Sequence, residues 1–333
     1  MTLPLRVAAI VLNWRGLNDT RACAESLRAS TYPYLRVYLV DNGSGGEEAE
    51  TLAREFPKYT VIANLDNLGF TGGNNEAMQR ALRDGADAIL LLNNDTVVDP
   101  DFLEPLAAAL NESGVGMVGP RIAYFDHPQT LWWAGGRVRW NTWFPFTSPG
   151  DNKSDVTTTG RLPEETDWIT GCCVLARTET IQQIGGLDPA FGYYCEDVDW
   201  SLRARRAGWK LRYVPQSRIL HRVNRSVTRA GVRGVYYQHR NTALAARRDL
   251  GFWQSRPVVF RAAGWALRHA LGEAGTRPAL LQAAWDTLTG REGLMPHPGT
   301  GRLWQAIAQV YGAYARLYWR VSGRLRARRK AQA

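Results

Sequence analysis

The stretch Ala86-Asp-Ala-Ile-Leu-Leu-Leu-Asn-Asn-Asp-Thr-Val-Val-Asp-Pro100 runs from apolar to polar at Asn93, Asn94 and Asp95. An uninterrupted apolar run that stops on amides and a carboxylate reads as a buried strand delivering oxygens to the rim of a sheet. Open α/β sheets bind ligands at that rim. Oxygen ligands there suit a hard divalent cation, which in turn can hold a diphosphate. A strand that simply ends in a turn accounts for the same residues, because Asn and Asp are ordinary turn formers. The neighbouring segments have to separate the two readings.

Upstream, Arg6 to Asn13 is an apolar, β-branched run that ends on Asn13, Trp14, Arg15 and Gly16. Helical spacing follows over Asp19 to Ala29, with Asn18 or Asp19 as the N-cap. Leu35 to Val40 forms a second strand, ending on Asp41, Asn42, Gly43 and Ser44. Helix Glu47 to Phe56, strand Tyr59 to Ala63 and helix Asn74 to Arg83 come next. Strands alternating with short helices imply right-handed crossovers, a mostly parallel sheet, and strand ends that share one crevice. Before the third helix lies Asn67-Leu-Gly-Phe-Thr-Gly-Gly-Asn-Asn75, a glycine-rich turn that does not match Gly-x-Gly-x-x-Gly. Its backbone amides suit phosphate or ribose, and a plain loop before a helix explains it equally well.

Downstream, a helix to about Leu110 and a strand over Gly116 to Tyr124 are expected. Asp126 to Glu165 is long, irregular and rich in Trp and Phe, a composition more often functional than filler. A strand over Trp168 to Ala176 and a short helix over Glu179 to Ile184 follow. Then Glu196, Asp197 and Asp199 crowd the start of a helix. The helix dipole favours acids in a first turn, which accounts for one carboxylate more easily than for three. A partly enclosed carboxylate there could act as a base. Short strands over Lys210 to Val214 and Ser217 to Leu220 end at His221, and helical spacing resumes from Gly231.

The 333 residues, 45% hydrophobic, are enough for a sizeable core and about two domains, which we place at 1–250 and 251–333. The cysteines, Cys23, Cys172, Cys173 and Cys195, form no Cys-x-x-Cys pair and read as reduced thiols of a cytoplasmic protein. The N-terminus reads as a first strand rather than a signal peptide. The net charge of +10 lies in the last quarter, where residues 252–333 hold thirteen Lys or Arg against Glu273, Asp286 and Glu292. Amphipathic helices are expected there at Phe252 to Leu271, Pro278 to Leu288 and Leu303 to Val321. None has the uninterrupted apolar length of a spanning helix, and Trp, Tyr and Arg interleaved on a helix suit a membrane interface. A helical subdomain with a solvated basic face is the plainer reading. Without a recognised motif, the basic tail does not point to nucleic acid.

The order of signals is Asn13-Trp14, Asp41-Asn42-Gly43-Ser44, the glycine-rich Asn67 to Asn75, Asn93-Asn94-Asp95, Gly171-Cys172, Gly185-Gly186-Leu187-Asp188, Glu196-Asp197-Val198-Asp199, His221 and Arg240-Asn241. Over residues 5 to 245 this order resembles the family 2 glycosyltransferases of GT-A fold, and most of all their bacterial rhamnosyltransferase-like branch. The resemblance implies an α/β nucleotide-diphospho-sugar transferase fold with a mostly parallel, Rossmann-like sheet and a C-terminal helical extension. By the same resemblance Asp41 contacts the base or ribose, with Asn13 and Trp14 in the loop beneath the base. Asn67, Gly69 and Asn75 fall in the segment near the nucleotide, joined by Asn93, Asn94 and Arg240. Asp95 matches the last acid of the family's Asp-x-Asp motif, which holds Mg²⁺ or Mn²⁺ on the diphosphate. Asn93 at the first position departs from that pattern and lowers the negative charge. His221 matches a metal or diphosphate contact, and Asp197 the catalytic base, with Glu196 beside it.

The resemblance further implies an inverting transfer from a dTDP- or UDP-sugar, rhamnose as the first choice, to a glycan or polyprenyl-linked acceptor. The enzyme would work in the cytoplasm, peripherally at the inner face of the cell membrane, and self-association into a homo-oligomer stays open. A sugar nucleotidyltransferase would carry an Arg- and Lys-bearing glycine-rich loop after the first strand, where this chain has Asn13-Trp14-Arg15-Gly16. A non-catalytic carbohydrate- or membrane-binding protein would have no need of Asp95, Asp197 and His221 together.

Overall fold

The computed structural model describes residues 4–148, 164–223, 225–272, 274–293, 295, 302 and 305–314, with the side chains of 225–231 left aside. Two compact units divide the chain, Met1–Thr228 and Arg229–Ala333.

The first unit opens with alternating elements: β1 (Val7–Asn13), α1 (Leu17–Arg28), β2 (Leu35–Asn42), α2 (Glu48–Glu55), β3 (Thr60–Asn64), α3 (Gly69–Arg83) and β4 (Ala88–Asn93). The short β5 (Thr96–Val98), α4 (Leu103–Leu110), β6 (Val115–Tyr124) and β7 (Leu131–Trp133) follow. A small hairpin of β8 (Arg137–Val138) and β9 (Phe146–Thr147) stands apart from the main sheet. Then come β10 (Glu164–Glu165), β11 (Cys173–Arg177), α5 (Thr178–Ile184), α6 (Glu196–Arg206) and β12 (Lys210–His221).

The main sheet has the order β10-β12-β6-β11-β4-β1-β2-β3, with β5 paired to β12 and β7 to β6. β3, β2, β1 and β4 pair in parallel, as do β6 and β12, while β11 runs antiparallel between β4 and β6. The sheet is therefore mostly parallel, and it is flanked by helices. β1 and β4 are central and buried on both faces, which is why Val7 to Val11 and Ala88 to Leu92 read as unbroken apolar runs. Register aligns the polar ends: Asn13 lies opposite Asp41, Asn42 opposite Asn64, and Leu12 opposite Asn93.

Three expected elements have other bounds. α3 begins at Gly69, not Asn74, so the glycine-rich turn is largely the first turn and a half of a helix. Gly73 sits there because a Cβ would come within 2.6 Å of Leu12 Cδ1, so the helix packs closer to β1 than any larger residue allows. The expected strands at Lys210 and Ser217 are one strand, β12, with its ladder interrupted between Val214 and Arg218. β11 begins at Cys173, since Trp168 to Cys172 approach the sheet as irregular chain. Part of the aromatic segment, 149–163, lies outside the described residues.

In the second unit, α7 (Arg225–Gly272) and α8 (Arg277–Thr289) account for the first two expected tail helices. Of the third, Leu303 to Val321, the described part 305–314 is helix, and the rest lies outside the described residues. α7 is a hairpin. His239 Nε2 lies 3.1 Å from His269 Nδ1 although thirty positions separate them, a span of about 45 Å along a continuous helix. The reversal falls at Gly251, whose φ of +76° leaves the right-handed course. The arms meet through His239, Trp265 and His269, and the outgoing arm packs Ala263, Ala266 and Ala270 on Leu280, Leu281 and Ala284 of α8.

Gly43 closes the edge of β2 at φ +70°, and a Cβ there would stand 2.4 Å from the Asp66 carbonyl carbon. Gly45, at φ +73°, has nothing within 4 Å. Urea denaturation should therefore separate the two: Gly43→Ala is expected to cost about 2–4 kcal/mol, Gly45→Ala only about 1 kcal/mol.

Candidate active site

The carboxyl edge of the parallel strands carries a hydrogen-bonded polar row. Asn13 Nδ2 donates to Asp41 Oδ1 at 3.0 Å, to Ser44 Oγ at 3.3 Å and to Glu48 Oε2 at 2.7 Å. The Ser44 hydroxyl closes on Asp41, and Arg15 N–H donates to Ser44 Oγ at 2.9 Å. On its other side Asn13 Oδ1 accepts from Thr20 Oγ1 at 2.7 Å, and Thr20 accepts from Asn94 Nδ2 at 2.9 Å. The ends of β1, β2 and β4 are thus joined by the first turn of α1. Trp14 is half exposed beside this row with the Arg15 guanidinium over its ring, and Arg15 is held at φ +50°. A non-glycine residue in that conformation marks a segment whose geometry is imposed by its surroundings.

Asn67 and Gly69 are gathered by Asn42, which donates to Asn67 Oδ1 and to the Gly69 carbonyl, both at 3.0 Å. Asn75 commits its whole amide to Leu187, donating to the carbonyl at 2.7 Å and accepting the N–H at 2.9 Å. Its job in the fold is to anchor the Gly185 to Asp188 turn. Arg240 lies in the second unit, buried, between the rings of Tyr236 and Tyr237, with Nη1 donating to the Arg291 carbonyl at 3.2 Å.

Asp95 and His221 come together at the end of β4. Antiparallel pairing sets His221 opposite Thr96, and His221 Nε2 lies 3.1 Å from Asp95 Oδ1. Both side chains are buried, and Asp95 Oδ2 and His221 Nδ1 have no hydrogen-bond partner. The Trp132 ring covers the imidazole edge-on at 4.4 Å between centroids. A buried, unsatisfied carboxylate oxygen costs free energy unless something binds it. Among the described residues no group of three or more His, Cys, Asp or Glu side chains converges as a metal site. The donor set fits a divalent cation that draws its remaining ligands from phosphate oxygens and water.

The acidic cluster divides by environment. Tyr194 and Cys195 both stand at φ +65°, a left-handed turn that starts α6 at Glu196. Asp199, 2% exposed, is taken by Arg203, whose Nε lies 2.7 Å from its Oδ2; Arg203 also donates to the Gly186 carbonyl. Asp197 is half-buried and accepts the Gly171 N–H at 2.8 Å and the Val198 N–H at 2.8 Å. Glu196 is buried with Oε2 unpartnered. Burial, and then the neighbouring Asp197 charge, push the Glu196 carboxyl up to about 8. Burial also pushes Asp197 up, but its two N–H donors favour the carboxylate, so Asp197 is the member of the pair that ionises first.

One strap joins the two halves of the site. The Cys172 carbonyl accepts the Asn93 N–H at 2.9 Å, and the preceding Gly171 holds Asp197. Sequence reasoning did not single out Glu48 or Thr20 for a role, and marked Trp132 only as one aromatic of its irregular segment. Glu48 reads as a helix-start acid and Thr20 as an ordinary helix residue, and only their contacts give them away.

A family model described as glycosyltransferase-like family 2 matches residues 4–254. The chain belongs to that family. Among curated relatives of this glycosyltransferase is the N-acetylglucosaminyl-diphospho-decaprenol L-rhamnosyltransferase of Mycobacterium tuberculosis, 27% identical over 270 residues, covering 74% of this chain and 84% of that protein. The dTDP-rhamnosyl transferase RfbF of Shigella flexneri is 20% identical, covering 64% of this chain and 71% of that one. Solved structures share the fold. The mannosyltransferase PcManGT from Pyrobaculum calidifontis, in complex with GDP-Man and Mn²⁺, matches at a TM-score of 0.52 with 15% identity, covering 95% of this chain and 84% of that one. GalNAc-T7 with UDP, GalNAc and Mn²⁺ matches at 0.53 with 17% identity, over 66% of this chain and only 44% of that one. The GT-A fold is thereby established for this glycosyltransferase.

The raised Glu196 carboxyl has a consequence for stability. It stays protonated in the fold up to about 8, while its ordinary value is 4.5, so the folded state binds the extra proton and loses stability as pH rises across that window. Thermal melts should show the decline, and Glu196→Gln should flatten it and raise the melting temperature at its alkaline end.

Proposed function

We propose that this glycosyltransferase moves a sugar, rhamnose as the first choice, from a dTDP- or UDP-linked donor to a hydroxyl of a polyprenyl-linked or cell-surface glycan, with inversion. The observation that carries the reading is the half-buried Asp197 carboxylate, hydrogen-bonded to Gly171 on the strap that also holds Asn93 beside Asp95. An inverting transfer needs one base and no protein nucleophile. Asp197 takes the proton of the acceptor hydroxyl as that oxygen bonds to the anomeric carbon and the bond to the diphosphate breaks. Glu196, kept neutral beside it, leaves the pair with a single charge, so the base is not repelled by its neighbour.

The polar row of Asn13, Asp41, Ser44 and Glu48 offers carboxylate acceptors to the ring N–H of a uracil or thymine, with Trp14 beside its plane. Asn93 and Asn94 lie between that row and Asp95, where the diphosphate would pass. Asp95 and His221 would hold Mg²⁺ or Mn²⁺ together with the donor's phosphates. Bound there, the ion supplies Lewis-acid stabilisation to the departing diphosphate. Manganese in PcManGT and GalNAc-T7, and the rhamnosyl and decaprenol names of the relatives, support this choice of metal, donor and acceptor class. A sugar nucleotide donor and a lipid-linked acceptor would place the reaction in the cytoplasm, at the inner face of the cell membrane.

A panel of dTDP- and UDP-sugars, offered with an N-acetylglucosaminyl diphospho-lipid acceptor and Mg²⁺ or Mn²⁺, tests the proposal by release of nucleoside diphosphate. The largest release is expected from dTDP-rhamnose, and no release from any donor would refute the reading. Asp197→Asn should lower kcat by about 10²–10⁴-fold with an unchanged melting temperature. Near wild-type turnover in that variant would remove Asp197 as base. Asp95→Ala and EDTA should each abolish transfer, and activity that survives both would end the metal assignment.

A further inference from the structure

The outgoing arm of α7 is packed with its small residues inward and its large rings outward. Val258, Val259, Ala262, Ala263, Ala266 and Ala270 are buried, whereas Phe252, Trp253 and Phe260 are 66%, 72% and 59% exposed. A helix that served only its own unit would bury the rings and expose the small residues. The exposed positions recur at helical spacing as Trp253, Arg256, Phe260, Gly264 and Arg268, so aromatic and basic side chains share one stripe. Arg256 lies with Cζ 5.2 Å from the Trp253 ring centroid, and Phe252 meets Trp253 edge-on at 5.2 Å. Both rings follow directly on Gly251, at the tip of the hairpin.

Charge selects what covers this stripe. Residues 252–272 carry Arg256, Arg261 and Arg268 and no acid. A second copy would bring arginines against arginines, since a two-fold interface sets the same patch on both sides. Anionic headgroups complement the arginines, and the headgroup region takes Trp and Phe as well. No helix among the described residues is long and apolar enough to cross a membrane, so contact along the surface is the form that remains open to this arm.

We infer that the outgoing arm of α7, led by Phe252 and Trp253, lies in the interface of an anionic lipid bilayer. The inference deepens the proposed function, resting on its lipid-linked acceptor for the purpose of the contact, and it names the surface that meets the lipid. Full-length protein is sedimented with vesicles of equal parts phosphatidylglycerol and phosphatidylcholine, and with vesicles of phosphatidylcholine alone. Binding is expected only to the anionic vesicles. The double variant Phe252→Ser with Trp253→Ser should weaken it about tenfold or more, and Arg256→Gln with Arg268→Gln about tenfold as well, with a lower sensitivity to salt. These side chains are exposed, so both variants should keep the melting temperature and the donor hydrolysis of the parent. Failure of the parent to bind anionic vesicles, or binding unchanged in both variants, overturns the inference. So does a ring variant that turns a dimer into a monomer by analytical ultracentrifugation while vesicle binding stays intact. Should no sugar nucleotide be hydrolysed by any form while vesicle binding responds as described, the proposed function falls and the membrane surface stands.

Discussion

The hydrogen bond from Asn93 N–H to the Cys172 carbonyl, 2.9 Å long, joins the two halves of the first unit. On one side stands a parallel run of β3, β2, β1 and β4 that presents polar ends at a single edge. On the other, β11 enters antiparallel and carries Gly171 past that edge. Because Gly171 in turn holds Asp197, the spacing between the Asp95 end of β4 and the acids of α6 is set by backbone rather than by long side chains. The proposed transfer depends on such fixed geometry, since a displacement of about 1 Å can cost two orders of magnitude in rate.

Three carboxylates within four residues meet three separate fates. Asp199 is paired with Arg203, which also donates to the Ile184 and Gly186 carbonyls. Glu196 is buried with one carboxylate oxygen unpartnered beside the Asp197 charge, and so keeps its proton. Asp197 keeps two backbone donors and some access to solvent. Like residues in one helical turn thereby acquire unlike chemistry, a division that sequence spacing alone could not express.

Much of the first unit could be read from the chain because its central strands are buried on both faces and leave unbroken apolar runs that stop on Asn or Asp. Where reading failed, long-range packing had overruled local preference. Gly72 and Gly73 argue for a loop by propensity, yet Gly73 lies inside α3 because Leu12 leaves no room for a side chain. The pairing of the Asn75 amide with Leu187, 112 positions away, likewise has no local signature. The expected strands Lys210 to Val214 and Ser217 to Leu220 are one strand, whose ladder resumes after an irregularity. The resemblance names Asp95 and His221 together, and the pairing of β5 with β12 that brings them into contact has no local signature in the chain.

Tyr194 and Cys195 hold conformations that glycine or asparagine would adopt with less strain, at about 1–2 kcal/mol for each residue. A library of variants selected for heat resistance alone would be drawn to these two positions. Glycine there would relieve the strain and also widen the range of angles at which α6 begins, so the two carboxylates would lose their fixed aim. With Asp197 as the proposed base, thermostability and turnover should therefore trade against each other at this corner of the fold, and an engineer seeking both would do better to work elsewhere on the chain.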